Sequence, residues 1–177
     1  QLRQKLEAEA LTLAKPAMQN KVKDHLARIS SGIDSSIDHK EVKEILGVNF
    51  YEKFQRTEQI TLKTRDHISK IYNAKAGEEQ DIVDSFIMDE TKATALDLEA
   101  KQKLVDAVSK KKEMLRKDPA ALIVQTNNQV KSLYEDYTSE TNEQNKQIKY
   151  KKYLDSMREA QISMGVSDDD IRLLPNS

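Results

Sequence analysis

Across 177 residues the chain carries 33% charged side chains, 29 basic against 30 acidic, for a formal net charge of −1, so nothing overall draws it to nucleic acid or an anionic membrane. The absence of cysteine excludes disulfides and thiolate metal sites, and 4 glycines with 3 prolines argue against a turn-rich all-β chain. No apolar run approaches the ~18 residues needed to span a bilayer, and the length suits one domain, or two small ones, with a buried core.

The first segment, Gln1-Leu2-Arg3-Gln4-Lys5, has no initiator Met and no signal-like apolar block, which suggests a trimmed or processed fragment of a longer protein. Leu2, Leu6, Ala10, Leu13, Ala17, Val22, Leu26, Ile29 and Ile33 recur at helical spacing and predict one continuous apolar stripe on a helix from the start to about Ser31. Pro16 lies inside it and removes a backbone bond, so a kink or break is expected near Leu13. Gly32 is a natural terminator. Asp38 followed by Glu41 resembles a capping box for a short helix, Glu41 to Leu46, ended by Gly47. Three more short helices are expected. One covers Asn49 to Gln59 with Phe50 and Phe54, one is capped by Thr64 and carries Ile68, Ile71 and Tyr72, and one spans Glu78 to Met88.

From about Asp89 to Lys117 the pattern predicts a second long helix, roughly 40 Å in length. Leu98, Leu104, Val105, Val108 and Leu115 form its stripe, and the lysines fill the opposite, solvated side. It ends at a corner. Asp118 can cap a new first turn, Pro119 suits the first helical position, and the residue before a proline is pushed out of the α region. The next helix carries Leu122, Ile123, Val130, Leu133, Tyr134 and Tyr137. A third long helix, Ser139 to Met164, has Ile148, Leu154, Met157 and Met164 as its seam and Gly165 as its stop. Ser167 and Asp170 start a last short helix, cut off by Pro175. The expected fold is all-α, an elongated helical bundle of about three long helices plus a cluster of short ones. It is expected as a single domain over 1–177, with a short-helix subregion at 34–88 and long helices at 89–164. Hydrophobic content of 37%, below the usual ~45–50%, fits thin helical layers.

Residues that could carry chemistry are sparse. His25, His39 and His67 are scattered, with no pair at i, i+4 and no Glu-x-x-His, so surface or half-buried positions are expected. No glycine-rich phosphate loop and no Gly-x-Ser-x-Gly elbow occurs. The acidic clusters Asp168-Asp169-Asp170 and Glu78-Glu79 fall at helix starts, where negative charge complements the dipole. Two basic runs remain: Lys110-Lys111-Lys112 with Arg116-Lys117, and Lys146 to Lys152 interleaved with Tyr150 and Tyr153. The second could describe a nucleic-acid stripe, but acids on the same helices nearly balance both runs. Narrow apolar seams on long helices instead suit burial against a partner, or inward packing in a monomeric bundle. No catalytic, cofactor-binding or metal-binding residue is assigned, and no cofactor is expected.

Several segments taken in order sharpen this. They are Lys21-Val22-Lys23-Asp24-His25-Leu26, the short helix before Gly47 with Tyr51-Glu52-Lys53-Phe54-Gln55 after it, Arg116-Lys117-Asp118-Pro119-Ala120-Ala121, and Gln161, Gly165-Val166 and Arg172-Leu173-Leu174-Pro175. Over about residues 20 to 175 this order resembles a helical region of phage tape-measure and internal virion (DNA-ejection) proteins. The resemblance implies a structural part in the particle and in genome delivery through the host envelope. Other virion proteins or copies of this chain would be the partners, with weak DNA contact and no small-molecule substrate. Membrane contact would come only through a larger assembly. It places the chain in the virion until infection, and otherwise soluble. Such proteins often carry a peptidoglycan-cleaving domain. No Glu-Ser dipeptide occurs here, so that activity is not carried over and no enzyme is expected. The family's proteins are far longer, which again fits a fragment. The alternatives are a nucleic-acid-binding helical module and a cellular helical adaptor.

Overall fold

Local caps decide where most of the helices begin. In the computed structural model, which describes residues 2–176, eight α-helices follow one another without a strand among those residues. Gln1, the start of the expected first helix, and Ser177, the end of the expected domain, lie outside them. The helices are α1 (Leu2–Ser30), α2 (His39–Leu46), α3 (Val48–Asn73), α4 (Glu79–Phe86), α5 (Ala95–Lys117), α6 (Pro119–Thr126), α7 (Asn128–Ser139) and α8 (Glu143–Ser163). Single 3₁₀ turns occupy Glu90–Lys92 and Asp168–Asp170. The chain is all-helical, as expected.

The lengths differ from expectation in instructive places. Four helices, not three, exceed twenty residues among the described residues: α1 with 29, α3 with 26, α5 with 23 and α8 with 21. Helix α1 runs unbroken through Pro16. One lost backbone bond in a solvent-exposed turn does not end a helix whose neighbouring turns stay intact. Helix α3 replaces two expected short ones. Thr64 does not cap. It is buried, and its hydroxyl donates to Ile60 O at 2.7 Å inside the helix, with no Gly or Pro between Val48 and Asn73 to interrupt it. Helix α5 starts later than Asp89, at a reciprocal box: Asp97 N donates to Thr94 Oγ1 at 3.2 Å, and Thr94 N donates to Asp97 Oδ2 at 2.9 Å. The helix expected after Pro119 divides at Asn127, whose side chain accepts from Val130 N at 3.1 Å. Asn142 likewise moves the start of α8 to Glu143. The last short helix is a single 3₁₀ turn.

The chain forms two compact units, one of Gln1–Asp66 with Thr91–Ala100, the other of His67–Glu90 with Lys101–Ser177. These divisions cut across the 34–88 and 89–164 subregions, because α3 and α5 each contribute residues to both units. In the first unit Met18, Val22, Val42 and Phe54 form the core. In the second, one cluster holds Ile71, Val83, Leu104 and Ala107. Another joins Ala120, Ile123, Val130, Tyr153, Met157 and Met164. Each large buried side chain contributes about 1.5–3 kcal/mol relative to exposure.

Candidate functional site

The corner between α5 and α6 forms as its residues dictate. Lys117 ends α5, Pro119 opens α6, and Asp118 Oδ1 accepts from Ala121 N at 2.9 Å. The second carboxylate oxygen has another task. Asp118 Oδ2 accepts from Asn176 N at 2.8 Å, which ties the segment after Ile171 to the corner. Two fully buried polar side chains of α8 hold the same segment. Gln161 Nε2 donates to Arg172 O at 2.5 Å and Gln161 Oε1 accepts from Arg172 N at 2.9 Å, while Tyr153 OH donates to Leu173 O at 2.6 Å. Burial, helped by the neighbouring phenols of Tyr134, Tyr150 and Tyr137 and by the charge of Asp118, pushes the Tyr153 phenol up. It therefore remains a donor at every physiological pH.

This clasp leaves a groove of about 450 Å³ beside the corner, lined in part by Arg116, Lys117, Gly165, Ser167, Asp170 and Arg172. Gly165 is required there. Its φ is +82°, and a Cβ would lie 2.9 Å from the Ala76 Cβ, where Ala76 N already donates to Ser163 O at 3.0 Å. Asp170 Oδ2 accepts from Ser167 Oγ at 2.6 Å, and Lys117 Nζ donates to Glu113 Oε1 at 2.5 Å. The other two acids of that cluster, Asp168 and Asp169, are exposed on the 3₁₀ turn.

The first basic run is not a uniform solvated face. Lys110 and Lys112 are exposed, but Lys111 is fully buried. Its ammonium donates to Ala74 O at 2.7 Å and to Glu79 Oε1 at 2.8 Å, and Glu79 Oε2 accepts from Gly77 N at 3.0 Å. Glu79 thus neutralises a buried cation rather than serving only the start of α4. Burial works to raise its carboxyl. The Lys111 hydrogen bond, the amides of Glu79 and Gly77 and the Lys111 charge outweigh that, and the net result lies below 4.5. The signal was present in the spacing. Ala100, Leu104, Ala107 and Lys111 form the buried row of α5, whereas Leu98 and Val105, expected on the stripe, are exposed.

The second basic run loses its aromatic partners to the interior. Tyr153 is buried, and Tyr150 lies 4.7 Å from Tyr137, centroid to centroid, within a cluster that includes Tyr134. Lys149 Nζ pairs with Glu140 at 2.8 Å. Ile148, expected in the seam of α8, is exposed, and Tyr153, Met157, Gln161 and Met164 make the buried row instead.

The histidines, scattered in sequence, are partly brought together. Glu58 Oε2 accepts from His25 Nε2 at 2.6 Å, and Glu58 Oε1 lies 3.3 Å from His39 Nε2. Because a carboxylate only accepts, His25 Nε2 carries a proton. Its Nδ1 lies 3.0 Å from Ser35 Oγ. Serine, imidazole and carboxylate in line is the order of a nucleophile relay, but here His25 is 5% exposed and the carboxylate is shared with a second imidazole. The group joins α1, α2, α3 and the loop after Gly32. His67 is elsewhere, edge-on to Phe86 at 5.1 Å. No local spacing announces this cluster, since its partners lie 10 and 33 residues from His25.

The N-terminal half of α1 is the remaining feature. Every residue from Leu2 to Ala17 is exposed except Ala14, which is half-buried. At about 100° per residue, Leu2, Leu6 and Leu13 fall within roughly 40° of one another. Met18, Val22, His25 and Ile29, the buried residues of the same helix, lie on a face roughly 150° away. The expected continuous stripe is two stripes, and the change of face falls between Ala17 and Met18.

The chain matches no protein-family model, no curated protein and no solved structure. What the arrangement can do must come from its own groups. Among the described residues, no group of three or more His, Asp or Glu side chains is arranged to hold a metal ion. No helix among them is long and apolar enough to cross a membrane. Two of the features that face outward among the described residues are a leucine row on α1 and the groove at the corner lined by Arg116, Lys117 and Arg172.

Proposed function

We propose that this chain is a structural component of a phage particle, a segment of an internal virion (DNA-ejection) or tape-measure-like protein that works by packing its helices against other virion proteins or copies of itself. The single observation that carries the packing role is the row of Leu2, Leu6 and Leu13, exposed at 75%, 58% and 79%. A row of leucines at this spacing is the pattern one helix offers another, and it lies on the side of α1 opposite the buried face. The particle assignment rests on the ordered resemblance around residues 20 to 175, in which Arg116 to Ala121 is the strongest segment. In this role the chain is not an enzyme and uses no cofactor.

Sedimentation velocity tests the packing role. The chain should form a larger species alone or with capsid and portal proteins, and Leu6→Asp with Leu13→Asp should return it to the monomer. A strictly monomeric chain under both conditions would overturn it. Peptidoglycan cleavage by the chain on its own would equally contradict the non-enzymatic assignment.

A further inference from the structure

We propose that the groove beside the α5–α6 corner binds a phosphate group, held between the guanidinium groups of Arg116 and Arg172. Two arginines from distant parts of the chain line one cavity of about 450 Å³, a size within the ordinary range for a small-ligand site. Arg172 is placed there by design of the main chain. The buried Gln161 grips both its N–H and its C=O, and buried Tyr153 holds the next carbonyl.

The charges are also available. Lys117, the third lining cation, pairs with Glu113, whose charge also acts on Arg116, and the one lining acid, Asp170, keeps its negative charge while accepting from Ser167. Arg116 and Arg172 make no ion pair within 4.0 Å among the described residues. Planar guanidiniums match the oxygens of a phosphate in bidentate fashion, which an ammonium does not do. The groove is lined by three cations against one acid, a local balance that the net charge of −1 does not show. The source is either a small phosphorylated molecule or the backbone of a nucleic acid.

Calorimetric titration of the whole chain with pyrophosphate at low salt should give saturable binding. Arg172→Gln and Arg116→Gln should each weaken it about tenfold or more, and Lys152→Gln, on the exposed face of α8, should leave it unchanged. Gln161→Leu should also weaken it with both guanidiniums retained, since Arg172 is then no longer positioned. Circular dichroism checks that each variant is folded. Because the two arginines lie on separate segments, loss of fold in one still leaves the other to decide. Competition by a short single-stranded oligonucleotide identifies the nucleic-acid source, and binding without competition identifies the small molecule. Absence of pyrophosphate binding, or binding weakened equally by Lys152→Gln, overturns the proposal. Neither result bears on the leucine row of α1, so the packing role stands or falls separately.

Discussion

Lys111 shows how far one residue can depart from what its neighbours suggest. Within a run of three lysines it occupies the buried row of α5, and its charge is met by Glu79 and by the Ala74 carbonyl. Removing one member of a buried pair leaves the other uncompensated, whereas removing both is often nearly neutral. Lys111→Met should therefore lower unfolding free energy by about 3 kcal/mol or more. Lys111→Met with Glu79→Gln should recover most of that loss, because Gln can still accept from Gly77 N. Urea unfolding of the two variants measures the difference. A single variant as stable as the parent would mean that the ammonium is solvated after all. Asp118 illustrates the opposite case. Its role as a cap follows from sequence alone, but its bond to Asn176 does not, since nothing local relates positions 58 apart.

At the scale of elements, caps and breakers were legible where their chemistry is short-range. Asp38, Asp118 and the glycines after α1, α2 and α8 mark boundaries that the structure keeps. Thr64 misled because a threonine hydroxyl satisfies a helix carbonyl as readily as it caps a new turn. The faces were less legible than the boundaries. In α1 the apolar residues fit helical spacing throughout, yet a five-residue step from Ala17 to Val22 rotates the stripe by roughly 140°. Pro16 lies close to that change. It deprives the exposed half of one backbone bond, and a helix of that length is marginal without packing. Pro16→Ala should raise amide protection over Leu2–Lys15 about tenfold or more while leaving the Met18–Phe54 core unaltered. Hydrogen exchange checks this, and unchanged protection in the first half would show that something other than the proline sets its stability.

For the whole molecule, the sequence yielded the all-helical class but not the two-unit division or either outward site. Class follows from composition and periodicity. The division depends on where α3 and α5 stop contributing to one core and begin contributing to another, and the groove depends on residues brought together from α5 and the segment after Ile171. The whole-chain response to acid is a further consequence of folding. Hydrogen bonds from Lys63, Lys117 and Lys149 hold Asp97, Glu113 and Glu140 below their ordinary values, and Glu79 is also lowered. Depressed carboxyls contribute stability above their unfolded values and lose it as pH falls through the folded ones. Glu113 is exposed and adds little, whereas Asp97 and Glu140 are half-buried and Glu79 is buried. The urea midpoint should hold near neutrality and decline once pH drops below about 4.5. A midpoint that rises in that range would contradict these assignments.

The clasp on the segment after Ile171 has a consequence for how that segment can vary. Gln161, Tyr153 and Asp118 grip the N–H of Arg172 and Asn176 and the carbonyls of Arg172 and Leu173, and every residue supplies such groups except proline, which lacks the N–H. The grip is therefore largely blind to side-chain identity, and Leu173, packed against the Ala120–Met164 cluster, and Asn176, whose side-chain amide donates to Lys117 O at 3.4 Å, say which residue belongs where. Exchange of Leu173 for a polar residue would loosen that register, although a slip that brings Pro175 to Asp118 would lose a hydrogen bond, since proline has no N–H. Arg172 would then leave the groove without any change at Arg172 itself.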